Sequence, residues 1–159
     1  MKKCEPIYDP IRQKWVAATP EEKIRQYLIS HMTQKLGYPA LWMAIEKELA
    51  QLPHILPQSA MEIVKRRADI LVFAPHTLSP LLLIECKATA LSQAFLQQVI
   101  GYNTLVKAPF VSLANGKQVM TGYYNAELGK YCFESGLPRF TDLIQSGEFL
   151  TQTQRGSKK

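Results

Sequence analysis

The stretch "RADILVFAPHTLSPLLLIECKA", residues 67–88, contains two apolar runs separated by a turn with two prolines. Short apolar runs with such boundaries predict buried strands. An antiparallel pairing that sets Asp69 opposite Glu85 centres the hairpin near Thr77, inside the turn. Because side chains alternate along a strand, Asp69, Glu85 and Lys87 are then expected on one face of the sheet.

Helices are predicted on both sides of this hairpin. In residues 19–39 ("TPEEKIRQYLISHMTQKLGYP"), Thr19 suits an N-cap, Pro20 suits the first helical position, and Gly37 ends the apolar stripe. In residues 91–107 ("LSQAFLQQVIGYNTLVK"), Ser92 is the expected N-cap of a second helix. Each segment therefore has a start signal and helical apolar spacing.

Further strands complete the pattern. "LWMAIEKEL", residues 41–49, is predicted to form one strand, with Glu46 and Glu48 on its surface. Residues 108–125 are predicted to form two strands joined by the Asn115-Gly116 turn. The order of elements predicts an α/β fold in which helices flank a mixed central sheet.

Composition limits the class of protein. The chain has 159 residues, 47% hydrophobic and 20% charged, which suits one globular domain. No apolar run approaches the roughly 20 residues of a membrane span, and no secretory signal follows the first lysines. We therefore expect a cytoplasmic protein without membrane contact. The net charge of +6 is compatible with nucleic acid.

The three cysteines, an odd number without a CxxC pair, argue against disulfides and against a zinc site. Cys86 is expected to be a small buried residue on the face opposite Glu85 and Lys87. The three histidines are scattered without ligand-like spacing. Oxygen ligands are therefore the better candidates for any metal.

Two carboxylates and an ammonium at one end of an apolar sheet suit metal-dependent chemistry. Mg²⁺ prefers one or two carboxylates together with waters and phosphate oxygens. A neighbouring lysine can orient or deprotonate a bound water. A surface ion pair at a sheet end is the structural alternative for Asp69, Glu85 and Lys87.

The segments "RADILVF" and "LLLIECKA" resemble the signature strands of the PD-(D/E)XK nuclease superfamily. With the first helix, "QQVIGYN" and "VSLANG", the chain more narrowly resembles the N-terminal nuclease domain of type I restriction enzyme R subunits. The resemblance implies a restriction-endonuclease-like fold with an α-β-β-β-α-β core over residues 19–125. Residues 1–18 are then an N-terminal arm, and residues 126–159 are an extension with a flexible basic tail.

The resemblance also implies roles for individual residues. Asp69 and Glu85 would bind Mg²⁺ or Mn²⁺, and Lys87 would position the attacking water. Gln98 and Tyr102 match a QxxxY motif whose spacing places both on one helical face, where they would contact the DNA backbone or groups of the active site. Packing in the core is the alternative for Tyr102.

The segment "PEEKIR" resembles the acidic motif of the first helix in this family. Glu22 is the better match for a third metal-binding carboxylate, although Glu21 points inward by helical phase. Either residue could instead only favour the positive end of the helix dipole. Arg25 is a candidate for contacting phosphate or for pairing with a catalytic carboxylate.

Three basic residues, Lys65, Arg66 and Arg67, precede the first signature strand. They form a candidate phosphate-contacting patch on DNA, and a solvated loop edge is the alternative.

The chain departs from the family pattern in two ways. Ala68 stands where the superfamily motif has proline, a change that removes no chemistry. The sequence also contains no GxxxxGK[ST] phosphate loop, so ATP-dependent restriction is not expected of this chain alone.

The resemblance therefore predicts a Mg²⁺-dependent endonuclease acting on DNA. A non-catalytic nucleic-acid-binding or assembly module that retains the fold is the alternative. A homodimer, and protein partners that supply targeting or translocation, are both left open.

Overall fold

The computed structural model describes residues 4–55 and 66–156, which contain eight strands, three α-helices and two short 3-10 helices (Ala40–Trp42 and Leu49–Gln51). The strands are β1 (Ile7–Asp9), β2 (Lys14–Val16), β3 (Met43–Glu48), β4 (Arg67–Phe73), β5 (Pro80–Cys86), β6 (Phe110–Ala114), β7 (Val119–Asn125) and β8 (Lys130–Ser135). The helices are α1 (Pro20–Lys35), α2 (Gln93–Val106) and α3 (Phe140–Gly156).

Strands β3 to β8 lie in chain order in one mixed sheet, and β1 and β2 form a separate antiparallel hairpin. Within the sheet the β5–β6 pair is parallel, and the other four pairs are antiparallel. Helix α2 connects the two parallel strands, as such a crossover requires. The predicted α/β fold of restriction-endonuclease type is confirmed: α1, β3, β4, β5, α2 and β6 follow one another in the expected order.

The register between β4 and β5 agrees with the predicted hairpin. Leu71 pairs with Leu83 and Ile70 pairs with Ile84. One step further along the same antiparallel register, Asp69 lies across from Glu85. The two predicted carboxylates therefore come from neighbouring strands at the same end of the sheet.

Two apolar cores lie on opposite faces of the sheet. The first core packs α1 and α3 against β3–β6, and its buried residues include Met32, Ile70, Ile84, Cys86 and Leu143. The second core packs α2 against the other face, with Leu71, Leu83, Val99, Val106 and Val111 among its buried residues. Cys86 is buried in the first core, on the side away from Leu83 and Glu85, as expected.

Both predicted helix starts are confirmed by their caps. The Thr19 side chain accepts a hydrogen bond from the backbone N–H of Glu22, and Pro20 occupies the first turn of α1. The Ser92 hydroxyl accepts from the N–H of Phe95 at the start of α2. These contacts satisfy backbone donors that the first helical turn leaves free.

The chain after residue 125 continues the same fold. Strand β8 pairs with β7, and Phe140 and Leu143 of α3 are buried in the first core. The sequence predicts only a short helical piece near residues 142–146, whereas α3 runs from Phe140 to Gly156. Residues 157–159 of the predicted basic tail lie outside the described residues. Within the parts described, no helix is long and apolar enough to cross a membrane.

Candidate active site

Asp69 is held from two sides at the edge between α1 and the sheet. Its Oδ1 atom accepts a hydrogen bond from the Arg25 guanidinium at 2.5 Å. Its Oδ2 atom accepts from the backbone N–H of Cys86 at 2.7 Å. The carboxylate therefore connects β4 both to α1 and to the last residue of β5, and both oxygens have a fixed direction.

Glu85 occupies a different environment on the neighbouring strand. Its side chain is 7% exposed, and its Oε1 atom is buried without a hydrogen-bond partner among the described residues. Burial raises the pKa of Glu85 well above its usual range; the charge of Asp69 adds to this effect and that of Lys87 opposes it. Glu85 is thus a buried carboxylate that lacks a full set of partners.

Lys87 directly follows β5 and is fixed by its backbone. Its N–H donates to the carbonyl of Ala114 at 2.8 Å, which continues the pairing of β5 with β6. Its ammonium lies 4.9 Å from the centre of the Phe95 ring in the first turn of α2. A cation over an aromatic face is a favourable contact, so Lys87 is positioned beside Glu85 without forming a direct ion pair with it.

Arg25 of α1 contacts three carboxylates. Its guanidinium binds Glu22 on the same helix, Asp69 at 2.5 Å on β4, and Glu46 at 2.5 Å on β3. The surrounding charges raise the pKa of Arg25 although burial opposes that effect. Of the two roles considered for Arg25, the structure shows the pairing with the predicted catalytic carboxylate.

The N-terminal hairpin is joined to this network through Arg12. The Arg12 guanidinium binds Asp9 of β1 and, at 2.5 Å, the Glu22 carboxylate of α1. Asp9 is fully buried and also accepts from the backbone N–H groups of Ile11 and Arg12. A continuous chain of ion pairs therefore leads from the hairpin to Asp69.

The sequence assigns Glu46 only to the surface of its strand, whereas the structure shows it half-buried in the ion-pair network, with a side chain that is 30% exposed. Its carboxylate binds Arg25, and its pKa is raised by burial and by the charge of Asp69, against the effect of Arg25. Glu46 also has a φ of 55°, a left-handed conformation that is rare for this residue type and recurs at functional sites. No sequence pattern indicates this role, because it depends on the pairing of β3 with β4, which brings the Glu46 and Asp69 carboxylates close to each other.

Glu22 lies in the middle of the network, between Arg12 and Arg25. It is buried and bound by Arg12, Arg25 and Gln26, whereas Glu21 is exposed, so the inward direction expected for Glu21 is wrong. Among the residues with a described structure, no three His, Cys, Asp or Glu side chains form a group that could hold a metal ion. Binding of a metal by Glu22 stays a prediction.

The predicted DNA contacts come together only in part. The Arg66 guanidinium lies 4.8 Å from the centre of the Tyr102 ring, and Tyr102 also packs against the second core. Gln98 is exposed one turn earlier on α2. Arg67 forms an exposed ion pair with Glu48 at 3.0 Å, and Lys65 lies outside the described residues.

The donor set of Asp69 and Glu85 fits a hard divalent cation. Both residues offer carboxylate oxygens from adjacent strands, and the unpartnered, buried Glu85 Oε1 atom is a ready ligand position. A cation there would counter the effects of burial and of the Asp69 charge, which together raise the pKa of Glu85. Asp69 and Glu85 are therefore the residues that could hold Mg²⁺ or Mn²⁺.

The fold and the paired carboxylates define an α/β protein of restriction-endonuclease type. Residues 20–138 match the family described as type I restriction enzyme R protein N terminus (HSDR_N). This range covers most of the chain, from α1 to the loop after β8, and includes Asp69, Glu85 and Lys87. The chain belongs to this family. Comparisons with curated proteins and with solved structures gave no match.

Proposed function

We propose that the protein is a nuclease that hydrolyses phosphodiester bonds of DNA with Mg²⁺ or Mn²⁺. The observation that carries the proposal is Glu85, a buried carboxylate with an unpartnered oxygen, across from Asp69 and two residues before Lys87. A plain surface ion pair would leave neither carboxylate buried. Membership in the type I restriction R protein family supports the same chemistry.

Each residue has a proposed role. Asp69 and Glu85 hold the cation, which when bound lowers the pKa of a water and polarises the phosphodiester. Lys87 orients the attacking water and stabilises negative charge that develops on the phosphate. Glu22 is bound by Arg12 and Arg25, and in this state it helps to position Arg25 beside Asp69. To serve as a metal ligand, Glu22 would have to release both arginines.

The proposed DNA path follows the α2 side of the site. Arg66, whose guanidinium lies over the Tyr102 ring, supplies a positive charge just before the start of β4, and Gln98 is exposed on the same helix as Tyr102. The net charge of +6 favours binding to a polyanion. On the basis of the relation to restriction enzymes, the proposal includes protein partners that supply DNA targeting and a cytoplasmic location.

Plasmid cleavage tests the proposal. Wild type, Lys87→Ala and a matched control, Lys130→Ala, are incubated with supercoiled plasmid and Mg²⁺ or Mn²⁺. Lys130 is exposed at the start of β8, at the opposite end of the sheet from Glu85. We expect Lys87→Ala to lose activity by about a hundredfold or more, while Lys130→Ala cleaves like wild type.

The outcomes separate the two candidate functions. Cleavage that EDTA stops and that depends on Lys87 supports the nuclease. Equal cleavage by wild type and Lys87→Ala, or cleavage in EDTA, contradicts the mechanism. Binding to the plasmid without cleavage under any of these conditions indicates the non-catalytic nucleic-acid-binding module.

A further inference from the structure

One guanidinium serves three carboxylates directly beside the candidate metal site. Arg25 is 5% exposed, and its partners are Glu22, Glu46 and Asp69. A buried arginine is costly unless carboxylates surround it. Arg25 carries one positive charge and contacts three carboxylates, so it cannot neutralise all of them. Arg12 also binds Glu22, but among the described residues it forms no ion pair with Glu46 or Asp69.

Arg25 and a cation would share the same Asp69 carboxylate. The guanidinium already occupies Oδ1, and the backbone N–H of Cys86 occupies Oδ2. Any divalent cation bound by Asp69 and Glu85 therefore lies within a few ångströms of the guanidinium, at a distance where like charges repel strongly in a partly buried site.

Arg25 can withdraw from Asp69 without losing all its partners. Glu22, one turn earlier on α1, and Glu46, on β3, both remain hydrogen-bonded to its guanidinium. Glu46 is the more adaptable of the two, because its side chain is 30% exposed. The Arg25 guanidinium therefore binds Asp69 in the structure and has two other carboxylates, Glu22 and Glu46, to which it can stay bound if it leaves Asp69.

We propose that Arg25 is a built-in counter-ion that competes with the divalent cation for Asp69 and so sets the affinity of the site for metal. The inference rests on the proposed metal site at Asp69 and Glu85. When no metal is bound, the guanidinium neutralises Asp69 and keeps its carboxylate in place. When metal binds, the guanidinium is shared by Glu22 and Glu46 alone.

Isothermal titration with Mn²⁺ measures this competition directly. Arg25→Gln removes the charge, and we expect it to bind Mn²⁺ about tenfold or more tightly than wild type. Arg25→Lys keeps the charge but not the forked donors, so its gain in affinity is expected to be much smaller. A purely structural role for Arg25 predicts the opposite sign, because a loosened Asp69 binds metal less well.

A control separates this inference from the proposed function. Asp69→Asn is titrated in the same way: if it binds Mn²⁺ as well as wild type does, the metal site itself is wrong. If Asp69→Asn loses binding but folded Arg25→Gln binds no more tightly than wild type, the metal site stands and the counter-ion role is wrong.

A second measurement uses the wild-type protein, so it does not depend on whether a variant at the site folds. The Arg25 side chain is buried, and its Nε atom is shielded from solvent, so we expect its N–H resonance to be observable by ¹⁵N NMR of the wild type. We expect its resonance to shift as Mg²⁺ is added, with the midpoint of metal binding. An unchanged resonance at saturating Mg²⁺ overturns the proposal.

Discussion

Asp69 and Glu85 lie across from each other on adjacent strands, yet their surroundings differ completely. Asp69 is bound by a guanidinium and by a backbone N–H, and it lies at the end of an ion-pair chain that reaches the N-terminal hairpin. Glu85 is as deeply buried but keeps an oxygen without a partner. One carboxylate is integrated into the fold, and the other is held in an unfavourable environment.

The difference indicates that Asp69 contributes to the stability of the fold, whereas Glu85 is retained for the chemistry of the candidate site. Removing one partner of a buried ion pair destabilises the native state, because the other charge is left buried without compensation, whereas a buried carboxylate that already lacks partners itself costs stability. Strain of this kind persists where function requires it. Substitutions at Asp69 and Glu85 should therefore change stability in opposite directions. Two predictions test this contrast, and a third tests the ion-pair chain that ends at Asp69.

The largest effect is expected for Glu85→Gln. Cleavage should fall by about a hundredfold or more because a ligand charge is lost, while the free energy of unfolding should rise by about 1 kcal/mol because a buried charge is removed. Plasmid cleavage and urea unfolding in EDTA measure the two quantities. Glu127→Gln, an exposed glutamate after β7, is the matched control and should change neither. Lower stability of Glu85→Gln would contradict the contrast.

Asp69→Asn should be destabilised. Loss of the charge leaves the buried Arg25 guanidinium with one partner fewer, which we expect to lower the free energy of unfolding by about 2 kcal/mol or more. Urea unfolding in EDTA checks this value, since metal then contributes nothing. If Asp69→Asn and Glu85→Gln shift stability in the same direction, the proposed division between the two carboxylates is wrong.

Asp9→Asn tests the far end of the ion-pair chain. Burial alone would raise the pKa of Asp9, but hydrogen bonds from Arg12 and Ile11 and the Arg12 charge outweigh it and lower the pKa below the ordinary value of 3.8. A lowered pKa stabilises the fold above that ordinary value, and the contribution is lost as the pH falls through the folded-state pKa.

At pH 7 the Asp9→Asn substitution should therefore cost about 1–2 kcal/mol. The difference from wild type should shrink as the pH falls below 3.8. Urea unfolding between about pH 3 and pH 7 measures both, with the exposed Glu5→Gln as control. A cost that does not change with pH would mean that the Asp9 charge does not fasten the hairpin.

The alignment of Asp69 with Glu85 could be predicted because it depends on local rules. Two apolar runs, a proline-bounded turn and the two-residue period of a strand leave little freedom in the register. The caps at Thr19 and Ser92 were predictable for the same reason, since a side chain there satisfies donors only three residues away.

The ion-pair network was not predictable in this way. Arg25 reaches Glu46 and Asp69 only because the fold brings α1 next to β3 and β4, and 21 and 44 residues separate these partners along the chain. The left-handed backbone of Glu46 leaves no trace in hydrophobic periodicity. The length of helix α3 is not evident from the sequence, because Phe140 and Leu143, which are buried in the first core, lie in its first turn while "TQTQRG" at residues 151–156 is polar.

Strand β5 is buried along six of its seven residues and contributes to both cores. Opening such a strand exposes both faces of the sheet at once, so its amides should exchange with solvent only when the whole domain unfolds. The N–H of Cys86, which is bound to Asp69, is one of them. The positions of Glu85 and Lys87 relative to each other should therefore persist until the whole domain unfolds. On heating, we expect the candidate site to be lost only when the protein itself melts.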